Sequence, residues 1–387
     1  MAPGRGGRAL IQWGVAEEAW ELDEALRPPP EVTRELFAAW GAARRGNGNP
    51  ERMSNPVWAW LARRPEVNAW SASKHFGGER APGPGWTQQR FGQSTTALSD
   101  GRVLAIAGEH EDYYDPDFFI YNDVLVTAPD GSIEIYGYDL QSFPATDFHS
   151  ATLVGEHVYL IGNLGYRESR RARTQVLRLD VRTLAMEVLE LGGEDPGWIS
   201  KHEATLSEDG RRIMVQRGQC EVKLPEGTTL RENVDDHVLE LDTLTWTRVT
   251  DRRWMQFEVE RSAGGIGSLW EIEQLAEYLE RPDDEFARQQ AAWYRARLEH
   301  EPDLAAWRSR FQPPVAHEAL PGEDWDVHRI VVDGVTVRYV GAHRGVNVVI
   351  EGALPARTVA AIVEDLRDKL ARADAGPYLV RRLDQQG

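Results

Sequence analysis

Three segments of this chain repeat one another, and that repetition constrains the fold more than any other feature. Ser94-Thr95-Thr96-Ala97-Leu98 leads through Asp100-Gly101 into Val103-Leu104-Ala105-Ile106 and stops at Gly108. His149-Ser150-Ala151-Thr152-Leu153 leads through Gly155 into Val158-Tyr159-Leu160-Ile161 and stops at Gly162. His202-Glu203-Ala204-Thr205-Leu206 leads through Asp209-Gly210 into Ile213-Met214-Val215 and stops at Gly218. The closing glycines stand 54 and 56 residues apart. Each segment is a short strand, a glycine-bearing turn and an apolar strand, which is hairpin chemistry.

A second hairpin follows each of the first. Asn122-Asp123-Val124-Leu125-Val126 precedes Asp130-Gly131 and Ile133-Glu134-Ile135-Tyr136. Val176-Leu177-Arg178-Leu179-Asp180 precedes Thr183 and Met186-Glu187-Val188-Leu189, and Val238-Leu239-Glu240-Leu241-Asp242 precedes Thr243 and Thr245-Trp246-Thr247. Pro84-Gly85-Trp86 and Pro196-Gly197-Trp198 each stand just before a repeat. Two hairpins give four strands per unit, at a period of about 50 residues.

On these residues the repeats resemble those of the kelch family: a His-Ser-Ala-Thr-Leu first strand, a glycine closing the second, an Asn-Asp-Val third and a Leu-Asp…Thr…Trp fourth. The resemblance implies a mainly β fold, a kelch-like β-propeller with at least three four-stranded blades over residues 86–250, accompanied by helical segments and a small C-terminal α/β unit. Two departures stand out. The family's double glycine is Gly108-Glu109, Gly162-Asn163 and Gly218-Gln219 here, and the loops between second and third strands are long. A β-sandwich is the competing reading of regular hairpins. Three blades do not close a ring, so N-terminal strands, C-terminal strands or a second copy must cover the open faces.

Four regions follow: a helical and irregular extension over 1–75, the blades over 76–260, a helical segment over 265–315 and the α/β unit over 325–387. In the extension, Arg8–Val15 reads as a short strand, Val32, Leu36, Phe37 and Trp40 as a helical face, and Pro56–Arg63 as a second helix. Ser268 with Glu271 reads as a capping box, Asp283-Asp284-Glu285 opens another helix, and Asp303–Phe311 forms a third. Asp333-Gly334 specifies a tight hairpin between Val327–Val332 and Val335–Val340. Gly345–Glu351 reads as a strand, a helix runs from Pro355 to about Ala373, and Tyr378–Leu383 returns as a strand.

A formal charge of −18, from 62 acidic against 44 basic residues, argues against nucleic acid or an anionic membrane as the main partner. It suits a basic protein client. No 18-residue apolar run and no signal-type apolar region is present, so a cytoplasmic protein is expected. Forty of the 44 basic residues are arginine, the usage of a GC-rich bacterial genome. Cys220 is the single cysteine, so no internal disulfide and no cysteine metal site is available.

Candidate chemistry concentrates in the long loops. The first, from Gly108 to Asp117, is dense in oxygen ligands and includes Asp112, Tyr114, Asp115 and Asp117. The second carries Arg167, Arg170 and Arg171. An acidic, aromatic loop beside a basic one can grip a partner through paired charges, or the two loops can neutralise each other. The first loop lacks the twelve-residue calcium pattern, so no metal and no cofactor is expected. His149 and His202 start equivalent strands and, with Asp147 nearby, offer either an acid/base pair or structural hydrogen bonds. No nucleophile elbow, phosphate loop or dinucleotide fingerprint occurs. The expected function is protein recognition, as a bacterial accessory that neutralises a toxin or assembles a complex. The alternative is a propeller enzyme acting on a sugar or small polar metabolite at the loop face.

Overall fold

The computed structural model describes residues 22, 24–77, 83–111, 116–224, 227–250, 253–262, 268–298, 300–321, 327–342 and 344–383. The fold is mainly β, with several antiparallel sheets and, among the described residues, seven α-helices. The chain divides into two compact units, residues 1–215 with 239–246 and residues 216–238 with 247–387. The expected strand at Arg8–Val15 lies outside the described residues.

In the first unit each repeat makes a sheet of its own. β1 (Ser94–Ala97), β2 (Val103–Ile106), β3 (Asp123–Thr127) and β4 (Ile133–Gly137) pair in that order, all antiparallel. β5 (Ser150–Val154), β6 (His157–Ile161), β7 (Val176–Asp180) and β8 (Met186–Val188) do the same. The third sheet is built from β9 (Glu203–Leu206), β10 (Arg212–Gln216), β11 (His237–Glu240) and β12 (Thr245–Arg248), in the same order. Gly192-Gly193 adds in parallel to the outer side of β12.

First strands of successive sheets are neighbours: β1 packs beside β5, and β5 beside β9. Backbone bonds tie them just before those strands begin. Phe148 N donates to Gly92 O and Lys201 N donates to Phe148 O, both at 2.9 Å. Gly92, Phe148 and Lys201 all hold positive φ, at 61°, 46° and 55°, so the same left-handed kink recurs in each repeat. Glycine accepts this freely, whereas Phe148 and Lys201 hold it at roughly 1 kcal/mol each. The closing glycine of β6 is needed on two counts: Gly162 has φ 78°, and a Cβ there would meet Ile199 O at 2.5 Å.

Adjacent sheets share a core. Leu104, Ile106, Val124 and Val126 of the first pack with Val158, Leu160, Leu177 and Leu179 of the second. The N-terminal extension packs on the first sheet. Helices α1 (Arg34–Trp40), α2 (Pro56–Ala62) and α3 (Ala69–His75) start at Thr33, Asn55 and Asn68, whose side chains accept from backbone N–H groups of the first turn. Val57, Trp58 and Leu61 pack with Trp86, Tyr121, Leu125 and Ile135, and Trp58 stacks on Trp86 at 5.3 Å. Glu51-Arg52 pairs with β4 as a fifth strand. Asn49 joins the second sheet, exchanging two 2.7 Å bonds with the backbone of Met186.

The second unit holds a six-stranded sheet. Its order is Glu318–Leu320, β14 (Val327–Val332), β15 (Val335–Ala342), β16 (Gly345–Ile350), β13 (Met255–Arg261) and β17 (Tyr378–Arg382). One face packs on α4 (Leu269–Tyr278), α5 (Glu285–Arg297), α6 (Leu304–Arg308) and α7 (Ala356–Ala373) through Val259, Ile272, Leu275, Val348, Ile362 and Leu366. Asp333 (φ 49°) and Gly334 (φ 78°) form the tight turn that the sequence specifies. The capping box at Ser268 does not form: its side chain caps nothing, and Ser268 N instead donates to Asp374 Oδ1 at 3.1 Å.

Candidate functional site

The long loops after β2 and β6 meet each other. The first leaves through Ala107 (φ 55°) and Gly108 (φ 94°) and builds a small ribbon, Glu109-His110 against Phe119-Ile120. Phe91 clamps that ribbon, exchanging backbone bonds of 2.8 and 2.9 Å with Glu109, while its own ring is 65% exposed. The second loop sends Tyr166 across: its hydroxyl accepts from Ile120 N at 2.9 Å, and its ring packs edge-on to Phe118 at 5.6 Å. Arg45 supports the junction from below, donating to Asn122 Oδ1 at 2.9 Å and Ile120 O at 3.1 Å, with its guanidinium over the Phe119 ring.

Beneath the junction lies Asp147, fully buried. Its Oδ1 accepts from Gly165 N at 2.6 Å, and its backbone O accepts from Leu164 N at 3.1 Å. Burial pushes the Asp147 carboxyl up, against the lowering effect of the Gly165 N–H, of the neighbouring Glu109 carboxyl and of the Arg170 charge. The buried Asp147 carboxyl thus lies beside the half-buried Glu109 of the first loop. Asn163, which stands where the kelch pattern has its second glycine, earns that place: Oδ1 accepts from Asp147 N at 3.0 Å and Nδ2 donates to Ala145 O at 2.9 Å. Glu109 and Asn163 stand out in the sequence only as departures from the double glycine, and nothing in its spacing points to Tyr166.

The three loop arginines separate into two kinds. Arg170 folds back, Nε donating to Leu164 O at 2.9 Å and Nη2 to Gly165 O at 3.4 Å. Arg167 and Arg171 are exposed, and neither pairs with a carboxylate among the described residues. Arg173, on the same loop, is held by Asp195 at 2.8 Å. Of the acidic loop, Asp112, Tyr114 and Asp115 lie outside the described residues, and Asp117 is buried.

His149 and His202 sit apart from this junction in role. His149 Nε2 is 2.8 Å from Ser94 Oγ, and His202 Nε2 is 2.8 Å from Ser150 Oγ. Burial drives His149 down to about 3, with a further push from His202, and drives His202 down to about 4. Both imidazoles are therefore neutral near pH 7 and each links one first strand to the next. Among the described residues, no group of three or more His, Cys, Asp or Glu side chains is placed to hold a metal ion. Among them, too, no helix is long and apolar enough to cross a membrane.

No protein-family model and no curated protein matches the chain. Among solved structures, the crystal structure of the family 43 glycoside hydrolase YxiA protein from Bacillus licheniformis is similar, at 8% identity over 68% of this chain and 83% of that one. The TM-score is 0.22, at which the likeness carries no argument about this chain.

Proposed function

We propose that the three sheets are blades of a kelch-like propeller and that the protein binds a partner protein through the face built by the loops after β2 and β6. The observation that carries this reading is the contrast within one loop. Tyr166 and Arg170 hold the loop in shape, while Arg167 and Arg171 stand out in solvent and pair with no carboxylate among the described residues. A fixed loop that presents exposed guanidinium groups suits recognition of carboxylates, because arginine bridges two acceptors with little further ordering. The exposed ring of Phe91 supplies an aromatic contact next to the first loop. The partner therefore carries an acidic patch where it meets this face, whatever its overall charge.

Asp147 beside Glu109 favours a second reading, an enzyme acting on a sugar or small polar metabolite. A buried carboxyl held above its ordinary range is a candidate general acid. Affinity capture from the native host, run in parallel with wild type and Arg167→Glu/Arg171→Glu, separates the two. A protein retained only by wild type supports recognition. Identical captures from both would remove the loop face as the binding site.

A further inference from the structure

We infer that the sheet of the second unit continues, across the outer edge of β17, into a second copy of this chain. The inference stands independently of the loop face. β17 is the last strand of its sheet, and among the described residues no strand pairs with its outer side. Bonds at its two ends fix which backbone groups point away from β13. Leu383 N donates to Gln256 O at 2.8 Å, and Ser262 N donates to Pro377 O at 2.9 Å. In an antiparallel strand the N–H and C=O of one residue point to the same side, and that side alternates. Leu379 and Arg381 therefore face β13, and Tyr378, Val380 and Arg382 present their backbone outward.

Those three side chains also lie on the face covered by α7. Val380 pairs with Val259 and Arg382 with Phe257, both of which belong to the core beneath the helix. Between the edge and the flank of α7 runs a groove of about 390 Å³, lined by Phe257, Leu354, Val359, Val363 and Val380. An open strand edge beside an apolar groove is a template for one more strand.

Spacing and charge identify the occupant. α7 packs on β13 and β17. With strands about 4.8 Å apart, a two-fold axis perpendicular to the sheet, just beyond the outer edge of β17, sets α7 and its mate roughly 10 Å apart on the same face, the distance at which helices pack side by side. Each helix then fills the other's groove. The same flank of α7 carries Glu364 and Arg367 at the groove, about one turn apart. An antiparallel copy of that flank meets each charge with its opposite, and Ala356 and Ala360 leave room for the approach. Such an interface is self-complementary, as a two-fold dimer requires.

Sedimentation velocity and light scattering of the full chain, from low to high micromolar, test this with two variants. Val380→Pro removes an outward N–H that the pairing with β13 does not use, a position where edge strands tolerate proline. Ala360→Glu adds bulk and charge to the helix flank at an exposed site and leaves the strand edge intact. The expected result is a wild-type mass twice the 43.6 kDa chain and monomeric variants with unchanged circular dichroism. A monomeric wild type across the range overturns the proposal, and so does a dimer that survives in either folded variant. If Val380→Pro unfolds, Ala360→Glu decides alone.

Discussion

His149 Nε2 lies 2.8 Å from Ser94 Oγ, and this bond joins the first strand of one repeat to the first strand of the repeat before it. His202 and Ser150 make the same bond one repeat later, at the same distance. The residue that precedes each inner strand thus reaches back to its neighbour, which explains why a histidine recurs there. Replacing His149 with Ala should cost about 1 kcal/mol, lowering the thermal midpoint by roughly 2–4 °C for a unit of this size. Ser94→Ala should cost a similar amount, and the double variant clearly less than the sum, because the two share one bond. Additive losses in a double-mutant cycle would show that the pair is not coupled.

Acid should weaken the fold before ordinary carboxylates titrate. The folded state holds His149 at about 3 and His202 at about 4, against an ordinary value of 6.5. Below pH 6.5 the unfolded chain takes up protons that the folded chain refuses, so stability rises with pH and is lost as pH falls. Asp147 acts with the opposite sign, since its raised carboxyl binds a proton more readily folded than unfolded. The urea midpoint should therefore fall from pH 7 to pH 5, and fall less in His149→Gln/His202→Gln. Equal falls in both proteins would exonerate the histidines.

Arg90 and Asp123 form the tightest buried ion pair of the first repeat. The two bonds are 2.5 and 2.9 Å, the Arg90 side chain is wholly buried, and its guanidinium lies 3.4 Å over the ring of Tyr121. Asp123 also accepts from Trp86 Nε1 at 3.3 Å. Asp123→Ala leaves a buried guanidinium without its counter-charge and should cost about 3–5 kcal/mol. Chemical denaturation checks this, and a loss under 1 kcal/mol would mean that water reaches Arg90.

How much of this was readable beforehand depended on the range of the interaction. The hairpins announce themselves because Asp333-Gly334, Asp130-Gly131 and the closing glycines carry turn chemistry within a few residues. The helix at Pro56–Ala62 was equally local, with Asn55 capping it. β13 was not read as a strand at all. Met255, Phe257 and Val259 alternate with polar residues as a strand does, but the central place of the segment is set by partners 85 to 125 residues away in β16 and β17. The capping box failed for a related reason: Asp374, remote in sequence, took the backbone N–H of Ser268. In the loops, residue type suggested binding, but only tertiary contacts separate the anchored Arg170 from the exposed Arg167 and Arg171.

That separation yields opposite expectations for neighbouring arginines. Arg170→Ala removes the donor to Leu164 O and Gly165 O and should lower stability by about 1–2 kcal/mol, loosening the loop that carries Tyr166. Arg167→Glu and Arg171→Glu should leave the melting temperature unchanged, since neither guanidinium bears on the core. Differential scanning fluorimetry of the three variants checks the contrast, and equal losses in all three would erase it.

The most direct measurement is isothermal titration calorimetry of the partner captured from the native host, titrated into wild type and into Arg167→Glu/Arg171→Glu. Anchor arginines contribute about 2 kcal/mol or more each at an interface, so the account predicts an affinity at least a hundredfold weaker for the double variant, with the fold intact. Equal affinities for the two proteins would contradict it.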